Sequence, residues 1–390
     1  MDERIWSLPG PRTLITDTLG ELKAGRHVFI ALPAEMAGDP AVTDSLSDAV
    51  SNEAGRFTTA RRLFAEPDLD SPLEVVARAI DFDDPPATVP QLLSHPHGAG
   101  TAFVMVVAEH TETQQALFPK FLERLEQETR SAPTEGRMSL VVIGGRNTLP
   151  NFRGGESSDV SLATLWWWNR IARWDTAAHI SHLDGPRITE RILADIRTET
   201  IVEVARWNLT LAEQLAWDWS GDPAELSEHL GEPTRAGEQP SETRERCGTS
   251  PADDLLDLWD AGQLDGWHDH YSPAPSAQRL RRLVWAAQAR IVLPWIEQRR
   301  EVLQERTIAK MGRKNFNDAL QLMFDPPLTD AGQVEIKDLY KIIAGRLGKT
   351  EPGMRSTAWR LRDSRNKTAH LEPLTLGELG ELVNVCRDLY

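Results

Sequence analysis

Three polar side chains near the end of the chain are of the types that acid–base chemistry on a phosphate uses. Arg365 and Asn366 are followed, four positions after the asparagine, by His370. An arginine presents a planar, permanently charged fork that binds phosphate oxygens and stabilises negative charge growing on them. Histidine, with an unperturbed pKa of about 6.5, moves protons near neutral pH. We interpret Arg365 and His370 as a candidate catalytic pair and Asn366 as an uncharged residue that orients its neighbours.

These residues also carry a resemblance to a known family. Residues 365–370 match RNxxxH, the signature of HEPN domains, and the flanks are similar too: a helical pattern leads in, a small residue precedes the histidine, and Pro373 precedes the last helix. The resemblance covers residues 276–390. It implies a ribonuclease-type domain in which the ribose 2′-hydroxyl attacks the adjacent phosphate without a metal or other cofactor. It also implies a homodimer, because HEPN sites are typically composite and this sequence has one RNxxxH motif. Bacterial defence and toxin systems are the implied setting.

Basic residues surround the motif, and we predict that they hold the backbone of single-stranded or looped RNA. They are Arg355, Arg360, Arg362 and Lys367. Residues 274–390 contain 20 Lys and Arg against 14 Asp and Glu, a net charge of +6, whereas residues 1–273 contain 23 and 45, a net charge of -22. The basic part either meets a polyanion or docks against its own acidic neighbour, and charge alone does not separate these alternatives.

Two further interpretations of the motif stay open. Arg365 and His370 can have a structural role only, since basic side chains and histidines often lie at helix ends, where they interact with the last carbonyls. A HEPN-like domain can also keep its fold and serve in binding alone. In either case the protein would be a non-enzymatic adaptor of a defence complex.

An all-helical bundle is expected to position the motif. Residues 276–307 have apolar residues at helical spacing, with an interruption at Pro294. Prolines lie between the later segments, where helices should end. The further helical patterns cover residues 315–324, 334–347, 353–367 and 376–389. Five helical segments without a strand pattern predict an all-α domain over residues 276–390.

The first 158 residues alternate between strand and helix patterns. Apolar runs of strand length occupy residues 27–32, 101–108 and 138–143. Helical patterns lie before and between them, at residues 12–24, 41–51, 73–80 and 112–129. Continuous apolar strands separated by helices predict an α/β domain, with a parallel sheet covered on both faces. This order resembles the core of a P-loop NTPase of the AAA or STAND kind.

The loop after the first strand departs from that family. The phosphate-binding motif GxxxxGK[ST] needs small residues, a lysine and a hydroxyl. Residues 33–40 read PAEMAGDP, without lysine or hydroxyl, and Glu35 and Asp39 would repel an anion. Glu109 follows the second apolar strand, where the family places a catalytic acid. We predict a degenerate, structural P-loop-like domain over residues 1–158, and nucleotide binding without hydrolysis stays open.

The middle of the chain is rich in tryptophan and then in linker residues. We predict a helical region over residues 159–221 and a linker or connection over residues 222–275. Because neighbours on a helix are about 100° apart, Trp166, Trp167 and Trp168 cannot all face one core. At least one tryptophan is therefore expected to be exposed or at an interface. The simplest role for it is contact with a partner protein, and the alternative is a surface on which nucleic-acid bases stack.

Several classes of protein are not expected. Cys247 and Cys386 are too few for a disulfide framework or a CxxC site. The N-terminus lacks the features of a signal peptide, and no run of about 18 apolar residues could span a bilayer, so a cytoplasmic location without membrane contact is expected.

Three pairs of histidines lie close together in the sequence, at residues 95 and 97, 179 and 182, and 268 and 270. No pair has the second cluster of ligating residues that a metal site needs, and we expect no metal site.

Overall fold

A computed structural model describes residues 3–66, 71–82, 88–131, 136–148, 161–183, 185–186, 188–230, 250–253, 255–265, 276–324, 327–328 and 331–389. The chain forms two compact units. Unit 1 comprises Met1–His179 and Ala236–Ser272, and unit 2 comprises Ile180–Arg235 and Pro273–Tyr390. This division differs from the four consecutive regions that the sequence suggested, because each unit is built from two separate stretches of chain.

Unit 1 contains a five-stranded sheet in which every strand pair is parallel. The strands are β1 (His27–Leu32), β2 (Thr59–Leu63), β3 (Thr101–Val106), β4 (Ser139–Gly145) and β5 (Leu162–Trp166). Their spatial order is β2-β3-β4-β1-β5, and Val28 at the centre lies opposite both Val141 and Ala163. β1 and β3 are buried along their whole length, which explains their continuous apolar sequences.

Helices flank this sheet. They are α1 (Pro9–Lys23), α2 (Ala34–Ala37), α3 (Pro40–Ala54), α4 (Pro72–Ala79), α5 (Val89–Ser94), α6 (Glu112–Gln115), α7 (Phe118–Ser131), α8 (Arg173–Ile180) and, later in the chain, α11 (Leu256–Asp260). α1 packs with α3, and α4, α5 and α7 pack with one another. The connection from β1 to β2 contains α3, and the connections from β2 to β3 and from β3 to β4, which contain α4, α5 and α7, cross the sheet in the opposite direction. Right-handed crossovers therefore place α3, with α1 packed on it, on one face and the other three helices on the opposite face. The predicted α/β class is confirmed.

Two strands were not predicted. β2 is a partly exposed edge strand with the sequence TARRL, so it lacks the apolar run that marks a buried strand. β5, the other edge strand, lies in the region predicted to be helical, and this part of the prediction is wrong. The helical argument about three adjacent tryptophans fails with it: Trp166 ends β5, and Trp167 and Trp168 that follow are both buried.

Unit 2 is helical throughout the residues that the structure describes. Its helices are α9 (Arg191–Ala205), α10 (Leu209–Asp218), α12 (Ala277–Met311), α13 (Arg313–Leu322), α14 (Ile336–Arg346), α15 (Pro352–Ala369) and α16 (Leu376–Cys386). The last five correspond to the five predicted segments, and the all-α prediction is confirmed. In the part of the chain described, no helix has the length and apolar character needed to cross a membrane.

The long helix α12 is the axis of unit 2. It continues through Pro294, so the predicted interruption is wrong. A proline removes one backbone hydrogen bond of the helix, but Val292 and Ile296 on either side are buried and hold both halves in the core. α9 lies along α12, with Ile192 and Ile196 in the same apolar cluster.

Candidate functional site

The RNxxxH residues lie at the C-terminal end of α15. Asn366 and His370 are both exposed, and four helical positions place them about 40° apart, on one face. Arg365 is about 140° from His370 around the same axis. Its side chain is 43% exposed, and its Nη2 lies 3.9 Å from Oε2 of Glu335. One copy of the helix therefore directs His370 and Asn366 to a shared surface and Arg365 toward a neighbouring one.

The helix ends at Ala369, and a strained turn follows its C-cap residue, His370. Leu371 has a φ of 63°, in the left-handed region that favours glycine. Its N–H donates to the Thr368 carbonyl (3.4 Å), and that of Glu372 donates to the Lys367 carbonyl (3.0 Å), the pattern of a Schellman motif. Leucine in this conformation costs about 1–2 kcal/mol. The turn therefore keeps a strained backbone beside His370.

Two side chains of α12 hold this turn from beneath. The Trp285 indole N–H donates to the Thr368 carbonyl at 2.6 Å. Gln288, which is buried, clamps Leu374 on both sides: its Nε2 donates to the Leu374 carbonyl at 2.8 Å, and its Oε1 accepts from the Leu374 N–H at 2.6 Å. These bonds fix the backbone before and after His370 while its side chain stays exposed, so Trp285 and Gln288 are positioning residues.

Small and hydroxyl side chains let α15 pack closely on α12. Ala358, Ser364 and Thr368 are buried on one face of α15. The Thr368 hydroxyl donates to the Ser364 carbonyl at 2.9 Å, so this buried hydroxyl has a partner. This buried face fixes the rotation of α15 and thereby decides that Asn366 and His370 point outward.

The predicted RNA-binding residues differ in how free their charges are. Arg355 is exposed near the start of α15. Arg360 is paired with Glu381, and the Arg362 guanidinium lies 4.3 Å from the centre of the Tyr340 ring.

Lys367 is paired with Glu378 and lies 3.7 Å from Asp363. The Glu378 hydrogen bond raises the pKa of Lys367, and the same bond lowers the pKa of Glu378. Glu378 also forms a capping box with Thr375 at the start of α16. Lys367 therefore fastens α15 to α16, and of the four predicted residues Arg355 has the most accessible charge.

Sequence reasoning missed Trp359, an exposed aromatic residue on the motif's own face. Trp359 is 39% exposed, and it lies within about 20° of Asn366 and of His370 around the helix axis. The Arg360 guanidinium lies 5.0 Å from the centre of its ring. The helical spacing between Trp359 and Asn366 would have revealed it, because seven positions are two turns and about 10 Å along the axis.

In unit 1, Glu109 is part of an ion-pair network. It contacts Arg62, which also pairs with Asp44 and lies 3.5 Å from Asp48. Burial raises the pKa of Glu109, and the Arg62 guanidinium opposes that change. The carboxylate is thus already neutralised by a neighbouring cation, which is a structural use of the acid.

In the loop after β1, an acidic side chain binds a backbone donor of the same loop. Asp39 is the N-cap of α3, where its carboxylate accepts a hydrogen bond from the Ala41 N–H at 2.9 Å. This is the kind of helix end at which a phosphate binds in a nucleotide site. The acidic side chain that the sequence identified as repelling an anion takes up that backbone donor itself.

Metal ligands do not come together in the part of the chain described: no three His, Cys, Asp or Glu side chains there could hold an ion. His268 and His270 lie outside the described residues.

No protein-family model and no curated protein matches the chain. Among solved structures it is similar to the ORC2 protein of Aeropyrum pernix, in ADPNP–ADP complexes, with 11% identity over 85% of this chain and 84% of that chain and a TM-score of 0.28. A similarity of this size carries no argument about shared fold or function. Unit 1 has the α/β class that the sequence predicts, with a parallel five-stranded sheet and flanking helices.

Proposed function

We propose that the protein is a metal-independent endoribonuclease-type effector of a bacterial defence or toxin system, which acts in the cytoplasm through a HEPN-like unit 2. The observation that carries the proposal is the RNxxxH motif at the end of α15. There Asn366 and His370 are exposed, and the backbone that bears them is held by Trp285 and Gln288. A strained residue, Leu371, follows directly. Strained backbone persists mainly where the surrounding structure enforces it, and it clusters at functional sites.

The reaction follows from the residue types. A base removes the proton of a ribose 2′-hydroxyl, the 2′-oxygen attacks the adjacent phosphorus, and the bond from phosphorus to the 5′-oxygen breaks. An acid protonates that leaving oxygen, and the product carries a 2′,3′-cyclic phosphate. His370 would perform a proton-transfer step, and Arg365 would stabilise the charge on the phosphate oxygens. All atoms and protons balance without a metal or another cofactor.

A homodimer fits the placement of these two side chains. Arg365 and His370 are directed to different sides of one helix, by about 140°. Two copies of α15 packed near each other would bring Arg365 of each copy toward His370 of the other. We therefore propose a composite site made of two motifs.

The direct test is cleavage of a single-stranded RNA oligonucleotide in a buffer that contains EDTA. The wild-type protein should produce fragments with 2′,3′-cyclic phosphate ends, and a DNA oligonucleotide of the same sequence should stay intact. His370→Ala and Arg365→Ala should each lower the rate by about 10²–10⁴-fold, the usual contribution of a proton-transfer group or an oxyanion-stabilising group. His182→Ala, an exposed histidine outside α15, is the matched control and should cleave normally.

Mixing the two inactive variants tests the composite site. If each dimer combines residues of both copies, a mixture of Arg365→Ala and His370→Ala should regain part of the activity. No cleavage by the wild-type protein, or cleavage that persists in both variants, would contradict the proposal.

A second candidate is a non-enzymatic adaptor in which exposed tryptophans bind a partner protein. Trp174 on α8 is 74% exposed and Trp217 on α10 is 52% exposed, and large exposed aromatics are enriched at protein interfaces. This candidate is favoured if the wild-type protein binds RNA weakly or not at all while Trp174→Ala abolishes capture of a cognate protein.

A further inference from the structure

Unit 2 contains a cavity of about 630 Å³ beside the point where the chain enters α16. Three stretches of chain form its walls: residues 222–230, which follow α10, the first two turns of α12, and residues 373–377. Pockets that bind small organic molecules usually have volumes of about 300–1,000 Å³. The cavity is therefore large enough for such a molecule.

The walls of this cavity are mainly aliphatic. Leu280 and Val284 of α12 line it, as does Leu374, and all three are almost completely buried. Leu376 also lines it and is 39% exposed. Removal of apolar surface from water is favourable, so these walls favour a ligand with an apolar body.

The polar groups of the cavity favour an anion. Arg281 lines it and is exposed, and within the described part of the chain no carboxylate pairs with its guanidinium. Asp222 is the acidic residue of the described walls, and its Oδ1 already accepts the Ala224 N–H at 2.9 Å. Leu376 and Gly377 line the cavity in the first turn of α16, where backbone N–H groups have no acceptor within the helix. The guanidinium is thus the one side-chain charge of the described walls without a partner, and these N–H groups add to its attraction for an anion.

The cavity shares a wall with the turn that carries His370. Leu374 lines the cavity, and Gln288 bonds to both the N–H and the carbonyl of that residue. Val284 also lines it, one position before Trp285, whose indole holds the end of α15. A molecule in the cavity would therefore pack against the residues that fix this turn.

We propose that the cavity binds a small molecule with an apolar body and one anionic group, of which a medium-chain carboxylate is the simplest example. The anion lies at Arg281, and the apolar body packs against Leu374 and stabilises the turn beside His370. This inference concerns binding and does not depend on RNA cleavage, so either can fail without the other.

The first test is a fluorescence titration of the full-length protein with 8-anilinonaphthalene-1-sulfonate, an aromatic dye with one sulfonate. The dye should bind at a saturable site with a Kd on the order of 10 µM, as expected for a ligand of this size. Decanoate should displace it, and 1-decanol, which has the same chain length without the charge, should displace it less well. Absence of saturable binding, or equal displacement by the two compounds, would overturn the proposal.

A substitution that fills the cavity tests where the dye binds. Ala277 lines the cavity at an exposed position, so Ala277→Trp should add an indole there without removing a core contact. The dye should bind at least about tenfold more weakly, because the ring takes up the space of the ligand. Gln278→Trp, at the exposed neighbouring position outside the described walls, is the matched control and should bind normally. Equal affinities of these two variants would place the dye elsewhere and contradict the proposal.

A charge substitution tests the role of the guanidinium. Arg281→Ala should weaken binding of the dye and of decanoate by about three- to fivefold, the range for an ion pair at an exposed position, and leave 1-decanol unaffected. Arg282→Ala, an exposed arginine next to it on α12, is the control. The same loss in both variants, or none in either, would remove Arg281 from the site.

Hydrogen exchange tests the effect on the turn. Saturating decanoate should slow amide exchange in residues 371–377 of the wild-type protein and leave β1 and β3 unchanged, because a ligand protects the region that it stabilises. The Ala277→Trp protein should show no such slowing. Exchange in residues 371–377 that is the same with and without decanoate would contradict the proposed effect on the turn.

Discussion

Unit 1 and unit 2 use the same kinds of polar residue in opposite ways. In unit 1 the charged groups at the carboxyl-terminal edge of the sheet are paired with one another: Arg62 with Glu109, and Arg146 with Asp257. In unit 2 Asn366 and His370 stay exposed and Arg365 is partly exposed, and the side chains of Trp285 and Gln288 hold the backbone beneath them. Residue type alone therefore does not tell an accessible polar residue from one with a structural role. The difference lies in whether its side chain already has a partner within the fold.

Histidines make the contrast clearest. His27 at the start of β1 is fully buried, accepting the Leu140 N–H at 3.0 Å and contacting the Thr129 hydroxyl at 2.9 Å. His370 is exposed at a helix end. One imidazole is a neutral part of a core, and the other is available to solvent and to a ligand.

The largest expected effect concerns His27. Burial lowers its pKa from 6.5 to about 3, so the folded protein keeps this ring neutral while the unfolded chain takes up a proton below about pH 6.5. The contribution of neutral His27 to the free energy of unfolding of unit 1 is therefore fully present above about pH 6.5. It is lost as the pH falls toward 3, a decrease on the order of 5 kcal/mol. Hydrogen exchange at a series of pH values should show unit 1 losing protection first. His27→Gln should flatten this dependence; an unchanged pH profile would contradict the assignment.

Removing the support beneath the motif should have the next largest effect. Gln288→Leu leaves the buried N–H and carbonyl of Leu374 without partners, which should lower the free energy of unfolding of unit 2 by about 2–4 kcal/mol in urea titrations. Gln298→Leu, at an exposed position of the same helix, should change it little. If the Gln288→Leu protein cleaves RNA at the wild-type rate under conditions where it is folded, the hydrogen bonds from Gln288 to Leu374 are not required for cleavage.

Trp359 tests whether the exposed face of α15 meets nucleotide bases. Trp359→Ala should weaken binding of single-stranded RNA by about 1–3 kcal/mol, or roughly 5- to 150-fold, with a larger effect on KM than on kcat. Trp359→Phe, which keeps a smaller aromatic face, should retain most of the affinity. Trp174→Ala is the control, because Trp174 is more exposed but lies in unit 1. Equal losses in Trp174→Ala and Trp359→Ala would assign no special role to this face.

The smallest effect is expected at Leu371. Leu371→Gly relieves the left-handed conformation, and since the side chain is 55% exposed, little packing is lost. Thermal unfolding should show unit 2 stabilised by about 0.5–1 kcal/mol, the strain relieved less the entropy cost of glycine. A loss of stability would mean that the leucine side chain packs more than its exposure indicates. Stabilisation with lower cleavage would indicate that the strained turn serves the reaction.

Elements with a strong local pattern could be predicted from the sequence. β1 was predicted at the bounds observed, and the five helices of residues 276–390 were found with ends within a few positions. The two edge strands were missed because their local patterns are weak or ambiguous. β2 (TARRL) has no apolar run, and β5 (LATLW) is a short apolar stretch inside a region that was predicted to be helical, so only pairing with distant strands defines them.

The candidate sites divide in the same way. Arg365, Asn366 and His370 were identified from spacing, because the motif is contiguous. The positions of Trp285 and Gln288 beneath it, and of Trp259 against the chain after β5, had no local signal. Each partner lies some eighty or more positions away in the chain, and these side chains bond to backbone groups that any residue type supplies.

By itself the sequence determined which side-chain types are available: an imidazole and a guanidinium five positions apart, and a loop after β1 that lacks a lysine. Only the tertiary structure decided which of these groups are exposed, because exposure depends on long-range packing. The small-residue face of α15 turns His370 outward. In unit 1 the buried Trp259 donates to the Trp167 carbonyl, a contact between residues 92 positions apart that no local pattern indicates.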